Sequence, residues 1–307
     1  MSMPSLHSGL NNGTKLIVSI GLPVFNGANF LAEAIESILA QEMGDFELMI
    51  SDNASTDETP AICERYAALD ARISYVRHPA NMGAANNYNH VFHCTSAKYF
   101  KWAAHDDLLK PRFLSECIAA FEAFETPPAI VYPRSEFIDD AGNVLRLDRD
   151  TMHSTSAYSA VRIFRAIQGM NMVPPVFGIF HRETLTRTRL IDSFIASDYV
   201  LLLEAALLGN IVQLDGAPLF QRRIHKDMSR QANKTEKEVL RWFDPEARTR
   251  LTSRQRLYLE YLKSIYGSDA LNVVEKQLCA ASLVSSILSR RARVAAGRWR
   301  RQLFSSS

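Results

Sequence analysis

The feature that most constrains this chain is an alternation that fills its first 110 residues. Short apolar, β-branched runs are each followed by a turn and then by apolar residues at helical spacing. Leu16–Leu22 is the first such run; it ends at Pro23, and Asn26-Gly27 marks a turn. Phe30, Leu31, Ala34, Ile35, Ile38 and Leu39 then recur at helical spacing, with Asn29 as the expected N-cap. Phe46–Ser51 is the second run, followed by the turn-forming segment Asp52–Asp57 and a helix through Ile62, Tyr66 and Leu69. Pro60 must lie in the first turn of that helix, because deeper inside its ring would meet the carbonyl four residues back. Ile73–Val76, a helix over Ala84–Phe92, and Lys98–Trp102 complete the series. Strands alternating with helices predict a right-handed βαβ sheet, in which ligands bind beyond the carboxyl ends of the strands. The segments just after each strand are therefore the places to look for function.

Beyond residue 110 the pattern loosens. A helix after Pro111 buries Phe113, Leu114, Cys117, Ile118, Phe121 and Phe124, and Ala129–Tyr132 is another strand. Phe137–Leu147, with Asp139-Asp140-Ala141-Gly142-Asn143 between its apolar ends, predicts a hairpin. Regularity weakens from Leu147 to Asn171, as expected of a segment that wraps around a site. Tyr199–Leu208 is an apolar helix closed by Gly209 at its C′ position, and Ile211–Leu214 and Leu219–Ile224 are short strands. From about Met228 the composition shifts to Gln, Lys, Arg and Glu interleaved with Leu and Tyr, which predicts a helical appendage to about Leu288. The expected organisation is a disordered start at 1–15, an α/β domain at 16–227 with halves 16–110 and 111–227, and the appendage at 228–307.

The last stretch carries Arg290, Arg291, Arg293, Arg298, Arg300 and Arg301 without an acidic residue, and its bulky apolar residues are Trp299, Leu303 and Phe304. It reads either as an amphipathic helix drawn to anionic lipid head groups or as a solvated terminus. The net charge of +2 offers no global basic excess to track phosphates, so no nucleic-acid partner is expected. Cys63, Cys94, Cys117 and Cys279 form no CxxC pair and read as buried thiols in a reducing compartment. Met1 to Lys15 lack the charged start and apolar run of a signal peptide, and no stretch approaches the ~20 apolar residues of a membrane span. A cytoplasmic protein, at most docked on the inner face of a membrane, is the expectation.

The run Lys101-Trp102-Ala103-Ala104-His105-Asp106-Asp107 follows directly on a predicted strand. Two carboxylates at a strand's carboxyl end can hold a divalent cation, and such a cation neutralises a multiply charged leaving group. Adjacent acids alone are a weak signal, since Asp139-Asp140 is another such pair and reads as a turn.

The resemblance that sharpens this reading lies in order along the first 115 residues. It comprises Pro23-Val24-Phe25-Asn26-Gly27, Ile35–Gln41, Asp45-Phe46-Glu47-Leu48, Ser51–Thr59, Asn81-Met82-Gly83 and the Asp106-Asp107 pair. Together these resemble glycosyltransferase family 2. The resemblance implies a GT-A fold, meaning a mixed, mostly parallel α/β sheet flanked by helices. It also implies a nucleoside-diphosphate-sugar donor, Mn²⁺ or Mg²⁺, and inversion at the anomeric carbon. It makes Pro23 and Phe25 part of a nucleotide wall and Asp52 the acid that contacts the nucleobase, although Asp52 reads independently as a turn former. Asn81 and Gly83 occupy an N-x-G element that approaches the donor, with Gly83 free to take positive φ. Asp107 is the expected direct metal ligand, with Asp106 nearer the ribose or sugar. Where the family often has Arg-Asn this chain has Tyr88-Asn89, so one cation that could meet the diphosphate is missing, and Lys101 is a candidate substitute.

The acceptor half matches less tightly. Pro174–Phe180 resembles the loop before the family's acceptor pocket, and Ser197-Asp198-Tyr199 opens the apolar helix where the family places its catalytic base. Asp198 near a helix N-terminus is held ionised and ready to take a hydroxyl proton, unless it merely caps the helix. Arg222-Arg223-Ile224-His225 resembles an R-x-H element that gives His225 a place in the metal shell or directly on the diphosphate, with Arg222 or Arg223 (Arg223 the expected one) also on the diphosphate. The expected acceptor is a glycan or lipid-linked hydroxyl in cell-surface polysaccharide assembly. A dinucleotide-binding dehydrogenase would want G-x-G-x-x-G after the first strand, where Pro23 and Phe25 do not fit. A nucleotidyltransferase would want a loop rich in Gly, Arg and Lys there. A non-catalytic nucleotide-sugar binding protein is the alternative that the sequence leaves open.

Overall fold

A computed structural model describes residues 16–171, 174–226, 235, 238–239 and 252–304. The expected start at 1–15 and the boundary at 227/228 lie outside the described residues. In chain order the first half holds β1 (Val18–Val24), α1 (Leu31–Leu39), β2 (Phe46–Asp52), α2 (Thr59–Leu69), β3 (Ile73–Arg77), α3 (Ala84–His93) and β4 (Tyr99–Trp102). The second half holds β5 (Leu108–Leu109), α4 (Phe113–Glu122), β6 (Ile130–Tyr132), β7 (Ser135–Ile138), β8 (Val144–Leu147), α5 (Ser159–Gly169), β9 (Ile179–His181), α6 (Arg182–Thr186), α7 (Ser197–Leu208), β10 (Ile211–Gln213) and β11 (Phe220–Arg223). The appendage contributes α8 (Ser253–Gly267) and α9 (Val273–Phe304).

The main sheet runs β10-β6-β9-β4-β1-β2-β3. All its pairings are parallel except those of β9, which runs antiparallel to β4 and β6. A smaller sheet, β5-β11-β7-β8, stands beside it. β1 lies between β2 and β4 and is buried along its whole length, so a continuous apolar run suits it. Val18, Ile20, Leu22 and Val24 join the core formed with α1, α2 and α4, while Phe100 and Trp102 of β4 face the core under α3, α5 and α7. This is the mixed, mostly parallel α/β sheet flanked by helices that the sequence led us to expect.

Four details depart from the sequence reading. Pro23 does not end the first strand; it sits inside β1, opposite Ser51. It is tolerated because its missing N–H faces the β4 side, where pairing has stopped at Gly21↔Trp102. The residue before α1 is Phe30, not Asn29, and no side chain caps that helix. Gly209 follows α7 with φ −166°, which is extended backbone; glycine suits the position because a Cβ would lie 3.0 Å from the Ala129 nitrogen. The supposedly irregular 147–171 stretch contains α5, whose buried Ile163, Ala166 and Ile167 recur at helical spacing. Of the cysteines, Cys63, Cys117 and Cys279 are buried and Cys94 is exposed; all four are free thiols.

Close packing of α3 on β1 rests on Gly21. A Cβ there would lie 2.5 Å from Val91 Cγ2 and 2.9 Å from Phe100 Cζ. Gly21→Ala is predicted to destabilise the fold by about 1–3 kcal/mol through overpacking, measured by urea unfolding. An unchanged midpoint would show that α3 is free to move off the sheet.

Candidate active site

The turns that leave β1 and β2 are laced together by side chains. Asn26 N–H donates to Ser55 Oγ (2.8 Å), Gly27 N–H to Thr59 Oγ1 (2.9 Å), and Thr56 N–H to Asn26 Oδ1 (2.8 Å). Asp57 accepts from the backbone of Ala28 and Thr59. Asn26 and Ala54 sit at φ 50° and 65°, the left-handed region, and these bonds hold them there. Phe25 stands at this rim, 43% exposed.

Asp52 is fully buried. Its Oδ1 accepts from Ser55 N–H (2.8 Å), its Oδ2 accepts from the Tyr75 hydroxyl (3.0 Å), and Arg77 Nε lies 3.6 Å away. Of the two readings that the sequence left open, the geometry displays the turn former. The neighbouring Asn53 reaches outward instead, donating to Asn81 Oδ1 (2.9 Å) and accepting from Met82 N–H (2.8 Å). Asn81 also accepts from Gly83 N–H, and Gly83 has φ 83° at the start of α3, the positive angle expected of it.

The acidic pair lies between β4 and β5, where the chain crosses from the main sheet to the small one. Asp107 Oδ1 accepts from the backbone N–H of Arg223 at the end of β11 (2.9 Å). Asp106 Oδ2 is 2.9 Å from His225 Nε2, so two of the expected metal ligands meet although 119 residues separate them. Burial works against ionisation of Asp106, but the His225 hydrogen bond and the charges of His105 and His225 prevail and hold its carboxyl below its usual range. Burial and the adjacent Asp106 charge push Asp107 upward, against the pull of Arg222, Lys101 and the Arg223 amide. Phe30 backs His225 with ring centroids 4.8 Å apart. Gly27 clears space for His105, whose ring would lie 2.6 Å from a Cβ at that position.

Two cations have other work than the sequence suggested. The Arg223 guanidinium is buried, donating through Nε to Asp106 O, through Nη1 to Asp139 O and Asp140 O, and through Nη2 to Glu33 Oε2. It is a brace beneath the acidic pair rather than a free fork for a diphosphate. Lys101 is fully buried; its Nζ donates to the carbonyls of Trp102 (3.1 Å) and Phe177 (2.5 Å) and sits 4.4 Å from the centroid of the Phe113 ring. Burial pushes its ammonium down to about 7, with nearby Cys117 and Asp107 pulling the other way. It ties β4 to the Pro174–Phe177 turn and does not replace the missing cation at Tyr88.

Tyr88 itself marks where the two halves face each other. Burial raises its hydroxyl, and the charges of Asp106, Asp107 and Asp198 raise it further. Asp198 occupies the first turn of α7, where the helix dipole favours a carboxylate. The loop leading to it is anchored near its start. Asn89 Nδ2 donates to Ile191 O (2.8 Å) and Asn89 Oδ1 accepts from Ile191 N–H (3.1 Å). Arg189 bridges Glu204 of α7 (2.8 Å) and Glu260 of α8 (2.7 Å). Leu190, at φ 59°, takes a left-handed angle between these anchors, and Ala196, at φ 67°, takes another just before α7. Glu204 is thus part of a structural clamp.

Among the described residues no three His, Cys, Asp or Glu converge closely enough to hold an ion by themselves. The donor set nevertheless fits a hard divalent ion completed from outside the chain. Mg²⁺ commonly takes one or two carboxylates plus substrate phosphates and water, and here an Asp–His contact stands next to a second carboxylate. Sequence reasoning missed Asn53, Glu33, Phe30 and the Asn89 clamp. Of these, only Asn89 carried a signal, as the retained half of the altered Arg-Asn pair.

Two outcomes follow from this geometry. Arg223→Met leaves the carbonyls of Asp106, Asp139 and Asp140 without their donor and is predicted to cost on the order of 3 kcal/mol in chemical denaturation. A loss under about 0.5 kcal/mol, the range of an ordinary surface substitution, would contradict the brace. Asn89→Ala is predicted to speed hydrogen exchange at the Ile191 amide while global stability falls by about 1–3 kcal/mol. Unchanged exchange there would remove the clamp.

Comparison with known proteins gives one result for the family and another for the fold. The family described as "Glycosyl transferase family 2" matches residues 19–188, more than half of the chain. An uncharacterized glycosyltransferase of Rickettsia bellii is 33% identical over 184 residues, 56% of this chain and 26% of that protein. The chondroitin synthase of Escherichia coli is 29% identical over 129 residues, 42% of this chain and 18% of that protein. The chain therefore spans only about a fifth to a quarter of these two relatives. Among solved structures, S. aureus TarS 1-349 in complex with UDP-GlcNAc superposes with a TM-score of 0.64 at 15% identity, covering 89% of this chain and 73% of that one. The mannosyltransferase PcManGT of Pyrobaculum calidifontis, in complex with GDP-Man and Mn²⁺, gives 0.51 at 15% identity, covering 95% and 80%. The structural likenesses establish a shared fold and the sequence match establishes kinship: the chain belongs to glycosyltransferase family 2.

Proposed function

We propose that the chain is an inverting, metal-dependent glycosyltransferase. It moves a sugar from a UDP- or dTDP-linked donor to a hydroxyl of a glycan or lipid-linked acceptor in cell-surface polysaccharide assembly. The observation that carries this reading is the contact of His225 with Asp106 (2.9 Å) beside Asp107, which the Arg223 amide holds in place (2.9 Å). The nucleotide lies along the laced turns after β1 and β2, with Pro23 and Phe25 as its wall, Asp52 anchoring the turn, and Asn81 and Gly83 at its edge. Asp106, Asp107 and His225 would hold Mn²⁺ or Mg²⁺ together with the donor's phosphates, and the ion would supply positive charge to offset that of the leaving diphosphate. Arg223 keeps those ligands in place from below. The UDP-GlcNAc in the TarS complex and the Mn²⁺ in the PcManGT complex support this chemistry by analogy of fold.

The reaction needs one base. The acceptor oxygen attacks the anomeric carbon from the face opposite the diphosphate, and its proton passes to the Asp198 carboxylate as the new bond forms. The bond between the anomeric carbon and the diphosphate oxygen breaks with its electron pair on that oxygen. One displacement inverts the configuration. The family's description and the acid cluster favour this over a non-catalytic binding protein.

A thermal-shift screen of UDP-, dTDP- and GDP-sugars with and without Mn²⁺ tests the site. A UDP- or dTDP-sugar is expected to stabilise the protein only with metal, and Asp107→Ala to abolish the shift. Equal stabilisation in EDTA would contradict the metal assignment. Asp198→Asn is expected to keep the donor-induced shift and to lose at least a hundredfold in donor turnover. Retained turnover would move the base elsewhere.

A further inference from the structure

α9 is a helix of 32 residues, about 48 Å long, and its two faces differ in kind. One face is docked. Cys279, Leu283 and Ser286 are buried, Ser282 Oγ donates to Ala160 O of α5, Gln168 of α5 donates to Ser286 O, and Arg290 Nη1 donates to Ile167 O. The other face carries Val274, Leu278 and Leu288, which are 67%, 56% and 58% exposed, so none of them serves the core. With the exposed Ala281 they follow a spacing of four, three and seven, which aligns them on one stripe. Val273 and Val284, 75% and 53% exposed, widen it along one side. A stripe of this length needs a partner.

The charge on the same helix says which kind. After Glu275 the sequence has no acidic residue, and Lys276 and six arginines follow. Arg291, whose Nη2 donates to the Tyr258 hydroxyl of α8 (3.4 Å), and Arg293, both exposed, fall about 100° to either side of the line through Val274, bordering the stripe with cations. The sequence continues the same spacing through Ala292, Ala295, Trp299 and Leu303, with Arg298 and Arg300 in the flanking positions. An apolar stripe bordered by cations, on a helix not apolar enough to cross a membrane, is the pattern of a helix that lies in a bilayer interface.

We propose that the outward face of α9, from Val273 to Arg293, is a docking surface for an anionic lipid bilayer. The position suits the acceptor chemistry. Arg290 Nη2 donates to Asn171 Oδ1 (2.7 Å), and Asn171 O accepts from the hydroxyl of Tyr199, the residue after Asp198. Arg162 of α5 donates to the carbonyls of Ala206 and Leu207 in α7 (2.7 Å each). The bilayer-facing helix is therefore braced, through Asn171 and α5, against the helix that carries the proposed base. The docking itself does not depend on the donor or metal assignments.

The test is co-sedimentation of the full chain with phosphatidylglycerol–phosphatidylcholine vesicles and with phosphatidylcholine vesicles, without nucleotide or metal. The chain is expected to pellet with the anionic vesicles and stay in solution with the neutral ones. Leu278→Glu with Leu288→Glu is expected to lower binding at least tenfold, and Arg291→Gln with Arg293→Gln to lower it severalfold and weaken its salt dependence. All four positions are exposed, and melting curves matching the wild type show that neither pair acts by unfolding. No binding to anionic vesicles, or undiminished binding by the Glu pair, overturns the proposal. So does a wild-type dimer in analytical ultracentrifugation that the Glu pair converts to a monomer, since that face would then join two copies.

Discussion

The hydrogen bond from the Arg223 amide to Asp107 is the contact on which the arrangement of this site depends. It joins residues 116 apart in sequence and fastens the last strand of the small sheet to the loop that leaves the main sheet. The same residue's guanidinium runs under Asp106 and over to Glu33 of α1, with Phe30 stacked 4.4 Å from it. Two adjacent carboxylates in a half-buried position repel each other and are costly to desolvate. The backbone N–H on one, the imidazole on the other and the buried guanidinium below make that position tenable. Without this support the loop has no reason to hold both acids at the mouth of the cleft.

From that contact the two halves take complementary roles. The first is stiffened by side chains that lace the strand-end turns, leaving Phe25 at the rim. The second presents α7 on a loop that Asn89 and Arg189 anchor near its start. Tyr88 takes the place of a cation that the family often has, and the described alternatives are engaged elsewhere: Lys101 with carbonyls in the core and Arg223 with the acid loop. In the proposed reaction the charge of a departing diphosphate would be left to a bound metal, to Arg222 if it leaves Asp148, and to water. Dependence on metal should be correspondingly strong.

Much of this was legible in the sequence, for identifiable reasons. β1, β2 and β4 are buried on both sides, so their apolar runs stand out, and α1 and α4 show clean helical spacing. The positive φ of Gly83 followed from its residue type. What escaped was mostly decided by tertiary contacts. Pro23 inside a strand makes sense only once β4 is seen to stop short of it. α5 was hidden because Arg162, a buried polar residue, and a flanking loop dilute its apolar stripe. The uses of Arg223 and Lys101 could not be read at all, since a guanidinium or an ammonium in a motif looks the same whether it faces a ligand or a row of carbonyls, whereas the turn-forming use of Asp52 was one of the two readings its sequence offered.

The central claim is that Asp106, Asp107 and His225 hold a divalent ion against the donor's diphosphate. Pulsed EPR of Mn²⁺ with the protein and UDP reads this directly, because it reports the nuclei bound to the ion. The account predicts a phosphorus coupling together with one histidine-nitrogen coupling, the latter lost in His225→Gln and both lost in Asp107→Ala. Protein-bound Mn²⁺ with a histidine-nitrogen coupling that survives His225→Gln, or with no phosphorus coupling in the presence of UDP, would contradict it.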